Sequence, residues 1–311
     1  MDFDLSDEQR MLQESARRFV TDRYDQPMRR RSVESVGGFS AGLWKEFAAM
    51  GWLGISIPED LGGLGSGPVE HMVLMEELGR GLVVEPYLAS VVMAGGLLAR
   101  TNDPAKILPR LSAGEVQLAA ALAEPQGRFD LHDVATRAAR HGDGWRIDGS
   151  KAVVLNAPNA EWLVVSARTA GGQRDRSGLS LFLIPRAATG LDIRPTRTQD
   201  DFPAGEVKLT GVTVGPEALL GAVGEALPAI EATVDAALMA DAAYALGCME
   251  VLLETTAEYL KIRKQFGKPL ATFQVLQHRL VQMHVALEEA RSLVIGGTLV
   301  LEEPSAEQRV Q

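Results

Sequence analysis

The apolar residues of this chain change their spacing twice, and that change limits the folds open to it. Up to about residue 115 they recur every three or four residues, the period of an amphipathic helix. From about Glu115 to Gly221 they form short runs separated by turn residues, and after Gly224 the helical period returns. We therefore predict an α+β fold with an N-terminal helical domain (1–115), a middle antiparallel β-barrel or sandwich (116–222) and a C-terminal helical bundle (223–311).

Local signals place elements within these domains. Ser6, followed three residues later by Gln9, predicts a capping box at the start of the first helix. Helices are predicted over Ala41–Met50 and Val69–Arg80, and the glycines of Pro58–Gly67 predict a loop between them.

Two long helices are predicted after Gly224. The first follows apolar positions from Leu227 to Leu260, and the second follows them from Phe273 to Val294. Two antiparallel helices bury too little apolar surface by themselves. We therefore expect the bundle to be completed by residues beyond Gln311 or by other chains.

Charge and composition exclude several classes of function. The 311 residues have a formal net charge of −10 and a pI near 5.1, which argues against nucleic acid or an anionic membrane as the main partner. The one cysteine, Cys248, lies among apolar helical residues, so we expect a buried, unreactive thiol and a reducing, cytoplasmic setting. The polar N-terminus is unlike a signal peptide, and no run of about 18 apolar residues predicts a membrane span. The five histidines lack metal-ligand spacing.

Four stretches resemble one enzyme family, in its order and at its spacing. They are PEDLGGLG (58–65), AEPQGRFD (123–130), GSKAVVLNA (149–157) and YLKIRKQFGKPLATFQ (259–274). Together they resemble the acyl-CoA dehydrogenase family over essentially the whole chain. Within it, VVEPYLA (83–89) and SARTAGGQRDR (166–176) resemble the small subunit of pimeloyl-CoA dehydrogenase and related heterotetrameric bacterial enzymes.

The resemblance implies a reaction and its partners. In the family a carboxylate takes the α proton of an acyl-CoA thioester while the β carbon gives a hydride to FAD. The electrons then pass to an electron-transfer flavoprotein. We therefore expect an acyl-CoA substrate, FAD, a second acyl-CoA dehydrogenase subunit and that electron acceptor as partners.

The cofactor-binding residues implied by the resemblance lie in the last of the four stretches. Arg263 corresponds to an arginine that reaches the FAD pyrophosphate across a subunit interface, and Gln265, Phe266 and Gln274 belong to the same site. A guanidinium suits this role because it offers paired donors to phosphate oxygens. The alternative is a solvated helix end whose cations interact with the helix dipole. His278, one turn from Gln274, is expected to be a polar interface residue.

The middle domain matches the family less well. Lys151 resembles the family lysine of the hairpin, although a surface charge is the alternative, and Glu124 with Pro125 resembles the start of the flavin and thioester loop or an ordinary strand end. Ala123 stands where the family has threonine, and bulky Arg128 and Phe129 stand where its backbone must approach a ligand closely. Leu155 replaces a threonine that hydrogen-bonds near flavin N5. We expect this domain to have lost groups that hold flavin and thioester.

No catalytic base is predicted in this chain. Some family members place the base on the long helix after the β domain, and that position corresponds to Ala237, followed by Leu238. Asp241 and Asp235 are the nearest acids, and both are expected to be ordinary surface or interface groups. Three hypotheses follow: a non-catalytic partner in a heterotetramer, a homotetrameric dehydrogenase whose base is Asp241 or lies beyond Gln311, and a non-enzymatic structural subunit.

Overall fold

The computed structural model describes residues 4–302, and they form two compact units. The helical unit contains Gly67–Val83 with the described parts of Met1–Arg29 and Leu238–Gln311. The β unit contains Arg30–Ser66 and Val84–Ala237. The predicted α+β class is confirmed, with helices before and after a β-sheet.

The helical unit begins with α1 (Asp7–Arg23), which packs against α4 (Pro68–Arg80). The predicted capping box is present, since the amide of Gln9 donates to Ser6 Oγ at 3.2 Å and the amide of Ser6 donates to Gln9 Oε1 at 2.9 Å. These two bonds satisfy amides that the first helical turn otherwise leaves without partners.

Buried acids on α4 meet arginines of other helices in this unit. Arg17 donates to Glu77 Oε1 at 2.6 Å, and Arg291 donates to Glu76 Oε1 at the same distance. Burial raises the pKa of Glu76 even though Arg291 opposes the shift. Because a buried carboxylate without a partner is costly, these pairs fix which helix faces meet.

The remaining helices before the sheet are short. They are α2 (Gln26–Glu34), α3 (Ala41–Ala49), α5 (Gly96–Arg100) and α6 (Ile107–Ser112), and a π-helical segment (Leu88–Gly95) runs directly into α5. The loop expected at Pro58–Gly67 is present and includes one short 3₁₀ turn, Glu59–Leu61.

The β unit is built on one eight-stranded sheet. Its strands are β1 (Leu118–Ala121), β2 (Arg137–His141), β3 (Gly144–Leu155), β4 (Trp162–Arg168), β5 (Leu179–Pro185), β6 (Leu191–Arg197), β7 (Pro203–Val214) and β8 (Leu219–Leu220). The strand order is β6-β7-β3-β2-β4-β5-β8, with β1 beside β4. Most neighbours are antiparallel, as expected, but β1 and β2 each pair with β4 in parallel. The core of this unit includes Trp145 and Phe182, whose ring centroids are 5.3 Å apart.

The chain ends with two long helices, α7 (Leu227–Ile262) and α8 (Gln274–Glu302), joined by a hairpin of β9 (Lys264–Gln265) and β10 (Lys268–Pro269). Among the described residues, α7 alone is long and apolar enough to cross a membrane, and 28% of its most apolar 18 residues are buried. Core helices of soluble proteins can have the same length and composition, so this feature is weak support for a membrane location.

Candidate functional site

The hairpin between α7 and α8 presents the predicted cofactor residues. Gln265 pairs with Lys268 across the two strands, which leaves Phe266 and Gly267 as the two residues of the turn. Both have positive φ, 53° and 79°, as a type I′ turn requires. Glycine adopts that backbone easily, whereas a phenylalanine there is strained.

An aromatic cluster lies next to this turn. The side chain of Phe266 is 90% exposed, and its ring centroid is 6.2 Å from that of Phe273 in an edge-to-face arrangement. Lys268 Nζ lies 4.4 Å from the centroid of the Phe273 ring, within cation–π distance. The hairpin therefore has an ordered aromatic and cationic surface open to solvent.

The charge of this segment differs from that of the chain as a whole. No Asp or Glu occurs between Glu258 and Glu288, a stretch that contains five Lys or Arg residues in a protein of net charge −10. Lys261 forms an ion pair with Glu258 at 2.6 Å. Within the described residues Arg263, Lys264 and Lys268 have no carboxylate partner, which leaves them available to an anion.

All four predicted cofactor residues lie on this hairpin or at the start of α8. The side chains of Arg263, Gln265 and Gln274 are exposed, like that of Phe266, and Gln274 is the first residue of α8. The segment offers a guanidinium, two amides and an aromatic ring, which suit the phosphates and rings of a dinucleotide. His278 is also exposed.

The β unit uses its charged groups differently. Lys151 is only 1% exposed, and its Nζ donates to Glu124 Oε1 at 2.7 Å, Ser166 Oγ at 2.9 Å and the carbonyl of Leu122 at 3.3 Å. The surface-charge alternative for Lys151 is therefore wrong. Burial lowers the pKa of this lysine to about 8, although Glu124 opposes that shift.

Glu124 is likewise more than an ordinary strand end. Its carboxylate accepts bonds from the amides of Ala135 at 2.8 Å and Thr136 at 3.1 Å, in addition to the bond from Lys151. Burial favours its neutral form, but the charge of Lys151 and these donors together hold the pKa of Glu124 below its ordinary value. This buried pair fixes both ends of the loop from Glu124 to Thr136.

Arg168, which sequence reasoning missed, holds the same loop from β4. Its guanidinium is 2% exposed and donates to five carbonyl oxygens, those of His132, Val134, Gln173, Asp175 and Ser177, at 2.8–3.4 Å. A guanidinium has five N–H groups, so every donor has a partner. An arginine ending the otherwise apolar run WLVVSAR was the available signal.

The tip of the loop from Glu124 to Thr136 is exposed. Phe129 is fully exposed at 100%, and Arg128 before it has a left-handed φ of 49°. Below them, Asp133 accepts a bond from Arg174 Nε at 2.8 Å, and Gln126 Nε2 donates to Glu124 Oε2 at 2.8 Å. The polar side chains at the base of this loop are therefore bound to one another.

The neighbouring strand β3 bulges before its last residues. Val153 is exposed at the bulge with a φ of 50°, and Leu155 is half-buried. Leucine has no hydrogen-bond donor, so Leu155 leaves this position without the polar group expected from the family.

On α7, the position expected for a base remains apolar. Ala237 is buried, Leu238 is exposed, and the exposed Asp241 lies one helical turn beyond Ala237. Cys248 is half-buried rather than fully buried, and burial raises the pKa of its thiol, as expected for an unreactive cysteine.

Comparison with known proteins identifies the family of the chain. The profiles of the N-terminal, middle and C-terminal domains of acyl-CoA dehydrogenase match residues 6–115, 119–212 and 227–302. Mitochondrial isovaleryl-CoA dehydrogenase of Arabidopsis thaliana is 31% identical over 303 residues, covering 93% of this chain and 73% of that protein.

Two solved assemblies have a similar fold. A variant of the Tcur3481-Tcur3483 steroid acyl-CoA dehydrogenase is 34% identical with a TM-score of 0.85, covering 97% of this chain and 80% of that one. The ChsE4-ChsE5 complex of Mycobacterium tuberculosis is 26% identical with a TM-score of 0.83, covering 97% and 79%. The chain belongs to the acyl-CoA dehydrogenase family, whose members are FAD-dependent oxidoreductases that act on acyl-CoA.

Proposed function

We propose that this chain is the non-catalytic subunit of an acyl-CoA dehydrogenase heterotetramer and helps to bind a FAD seated mainly in a partner chain. The observation that supports it most is the contrast between an exposed hairpin with unpaired cations and a β-unit loop whose buried polar groups bind one another. The hairpin suits a dinucleotide held by another chain, whereas the polar side chains that the structure describes at the base of the loop are hydrogen-bonded to one another.

The residues that would hold the cofactor are those of the hairpin. Arg263 would bind phosphate oxygens through paired N–H donors, Gln265 and Gln274 would hydrogen-bond the dinucleotide, and Phe266 would pack against its rings. FAD, when bound, supplies the acceptor for the hydride that leaves the acyl-CoA β carbon. The hairpin residues of this chain would help to bind and orient FAD for that reaction.

The proton acceptor is proposed to lie in the partner subunit, together with the thioester pocket. Neither Ala237 nor Leu238 can accept a proton, and we expect the β unit to have lost groups that hold a thioester. The alternative hypothesis is a self-sufficient homotetramer whose base is Asp241 or lies beyond Gln311. It predicts that this chain oxidises acyl-CoA without a second type of subunit.

The proposed substrate class follows from the resemblance of this chain to the small subunit of pimeloyl-CoA dehydrogenase and to the paired steroid enzymes. We propose a dicarboxylyl-CoA or a steroid-derived CoA thioester, with an electron-transfer flavoprotein as the electron acceptor. The similarity to the Tcur3481-Tcur3483 enzyme supports the steroid class. Bacterial relatives and the single cysteine support a cytoplasmic location.

Flavin stoichiometry tests this proposal. The chain is purified alone and after co-expression with a dehydrogenase subunit encoded by a neighbouring gene. Bound FAD is then measured per chain. We expect little FAD on the chain alone and fewer flavins than chains in the complex. One FAD per protomer on the chain alone, together with oxidation of acyl-CoA, would contradict the proposal and favour the homotetramer.

Substitution of the hairpin arginine tests the residue assignment. In the complex, Arg263→Ala is expected to lose most of the bound FAD, because the phosphates lose a charge-assisted pair of hydrogen bonds. Lys261→Ala is the matched control, since Lys261 is already paired with Glu258. If Arg263→Ala leaves flavin content and turnover unchanged, the chain is a structural subunit.

A further inference from the structure

The hairpin contains a second cation whose position is fixed by the fold. Lys268 lies directly across from Gln265 in the two-stranded pairing, so both side chains project from the same face of the hairpin. Lys264 pairs with Pro269 at the next position and projects from the opposite face. The two lysines are therefore similar in charge and exposure but differ in direction.

The side chain of Lys268 also contacts an aromatic ring of the same chain. Its ammonium lies 4.4 Å from the centroid of the Phe273 ring. Phe273 is fixed in turn, because its amide donates to the carbonyl of Leu270 at 3.0 Å and its carbonyl accepts the amides of Leu276 and Gln277 at the start of α8. A long side chain that is already ordered loses less entropy when it binds a ligand.

The electrostatic surroundings favour an anion at this face. Lys268 has no carboxylate partner among the described residues, and the stretch between Glu258 and Glu288 contains no acid. An ammonium whose side chain must first become ordered and give up an ion pair would contribute little net free energy to anion binding. Among the described residues Lys268 has no ion pair to lose, and its contact with Phe273 reduces the ordering cost.

We propose that Lys268 is a further FAD-binding residue, a second cation beside Arg263 for the cofactor's phosphates, and that Phe273 positions it. The inference rests on the proposed function, since it takes the hairpin to be the part of this chain that holds FAD. It adds a residue that the resemblance did not assign. The proposal assigns different roles to the two exposed lysines of the hairpin: Lys268, which shares a face with Gln265, binds FAD, and Lys264 does not.

The test compares matched variants in the full complex. Lys268→Gln and Lys264→Gln each remove one positive charge from the same hairpin, and FAD affinity is measured by reconstitution of the flavin-depleted complex over a range of salt concentrations. We expect Lys268→Gln to weaken FAD binding about ten- to hundredfold and to flatten its salt dependence, because a hydrogen-bonded charge is lost. Lys264→Gln should change the affinity less than about twofold.

Two further variants decide between explanations. Phe273→Leu, which keeps an apolar side chain but removes the ring, should weaken binding by a smaller factor of about two to five, as expected for loss of a cation–π contact. Arg263→Ala reports on the hairpin as a whole. If it abolishes binding while Lys268→Gln and Lys264→Gln behave alike, the assignment of Lys268 is wrong and the proposed function stands. If Arg263→Ala also has no effect, the proposed function fails.

Discussion

The β-unit loop and the α7–α8 hairpin both contain conspicuous cations, yet they use them in opposite ways. Lys151 and Arg168 are buried, and their donors bind Glu124, Ser166 and backbone carbonyls. Arg263 and Lys268 are exposed and have no carboxylate partner among the described residues. Similarity to a family motif therefore does not reveal whether a charged residue stabilises the fold or is available to a ligand. The groups that its side chain contacts in the structure do reveal it.

The largest effect is expected when the buried ammonium of Lys151 is removed. Lys151→Met leaves Glu124 buried without its cation, so the free energy of unfolding should fall by about 3–5 kcal/mol. Chemical denaturation measures the change. Lys208→Met, at an exposed lysine on the neighbouring strand β7, should change stability by less than about 0.5 kcal/mol. Equal effects of the two substitutions would mean that the pair has no structural role.

Lys151 should also make the stability of the chain depend on pH. The pKa of Lys151 is about 8 in the folded chain and ordinarily 10.5, so between these pH values the unfolded chain binds more protons. The contribution of Lys151 to the free energy of unfolding therefore rises with pH over this range, by up to about 3 kcal/mol. Unfolding is compared with that of Glu124→Gln/Lys151→Met, in which neither group titrates. A constant difference between the two proteins from about pH 8 to pH 10.5 would rule the effect out.

Arg168 allows a third test. Arg168→Lys keeps the charge but offers three donors in place of five, so at least two of the carbonyls lose their partner. We expect a loss of about 2 kcal/mol in stability, together with faster hydrogen exchange at the amide of Val134, which donates to the carbonyl of Gln173. The control is Arg194→Lys, at an exposed surface ion pair. Unchanged exchange at Val134 would show that the five bonds do not hold the loop.

The smallest effect is expected at the hairpin, and with the opposite sign. Phe266→Asn places a residue favoured at the first position of a type I′ turn where a strained phenylalanine stands, so stability should rise by about 1 kcal/mol. FAD retention by the complex should fall, because the exposed ring is lost. Denaturation and flavin content are measured on the same preparation. A rise in both quantities would remove Phe266 from the site.

The change from helical to β structure and back to helices was predictable from sequence because it depends on local patterns. Helical spacing and the Ser6–Gln9 capping box are both encoded within a few residues, whereas the hairpin at Lys264–Pro269 was not predicted. The parallel pairing of β1 with β4 was not predictable, since strands more than 40 residues apart show no local sign of their register.

The buried network of the β unit was missed for a similar reason. Lys151 and Glu124 are 27 residues apart, and each looks like a surface residue until the fold brings them together. The partners of Arg168 are backbone carbonyls, which leave no trace in the identity of the residues that bear them. The sequence pattern therefore does not show which charged residues stabilise the sheet.

The five hydrogen bonds of Arg168 also limit where a foreign sequence can be inserted into the chain. The β4–β5 connection is long, exposed and rich in glycine, and would ordinarily be chosen for an epitope tag or a fluorescent reporter. Three of the carbonyls bound by Arg168 lie in it, so an insertion after Gln173 would pull the neighbouring loop apart as well. Among the described residues no side chain approaches Gly142 in the short turn at Gly142–Asp143, which is therefore the better place for an inserted sequence.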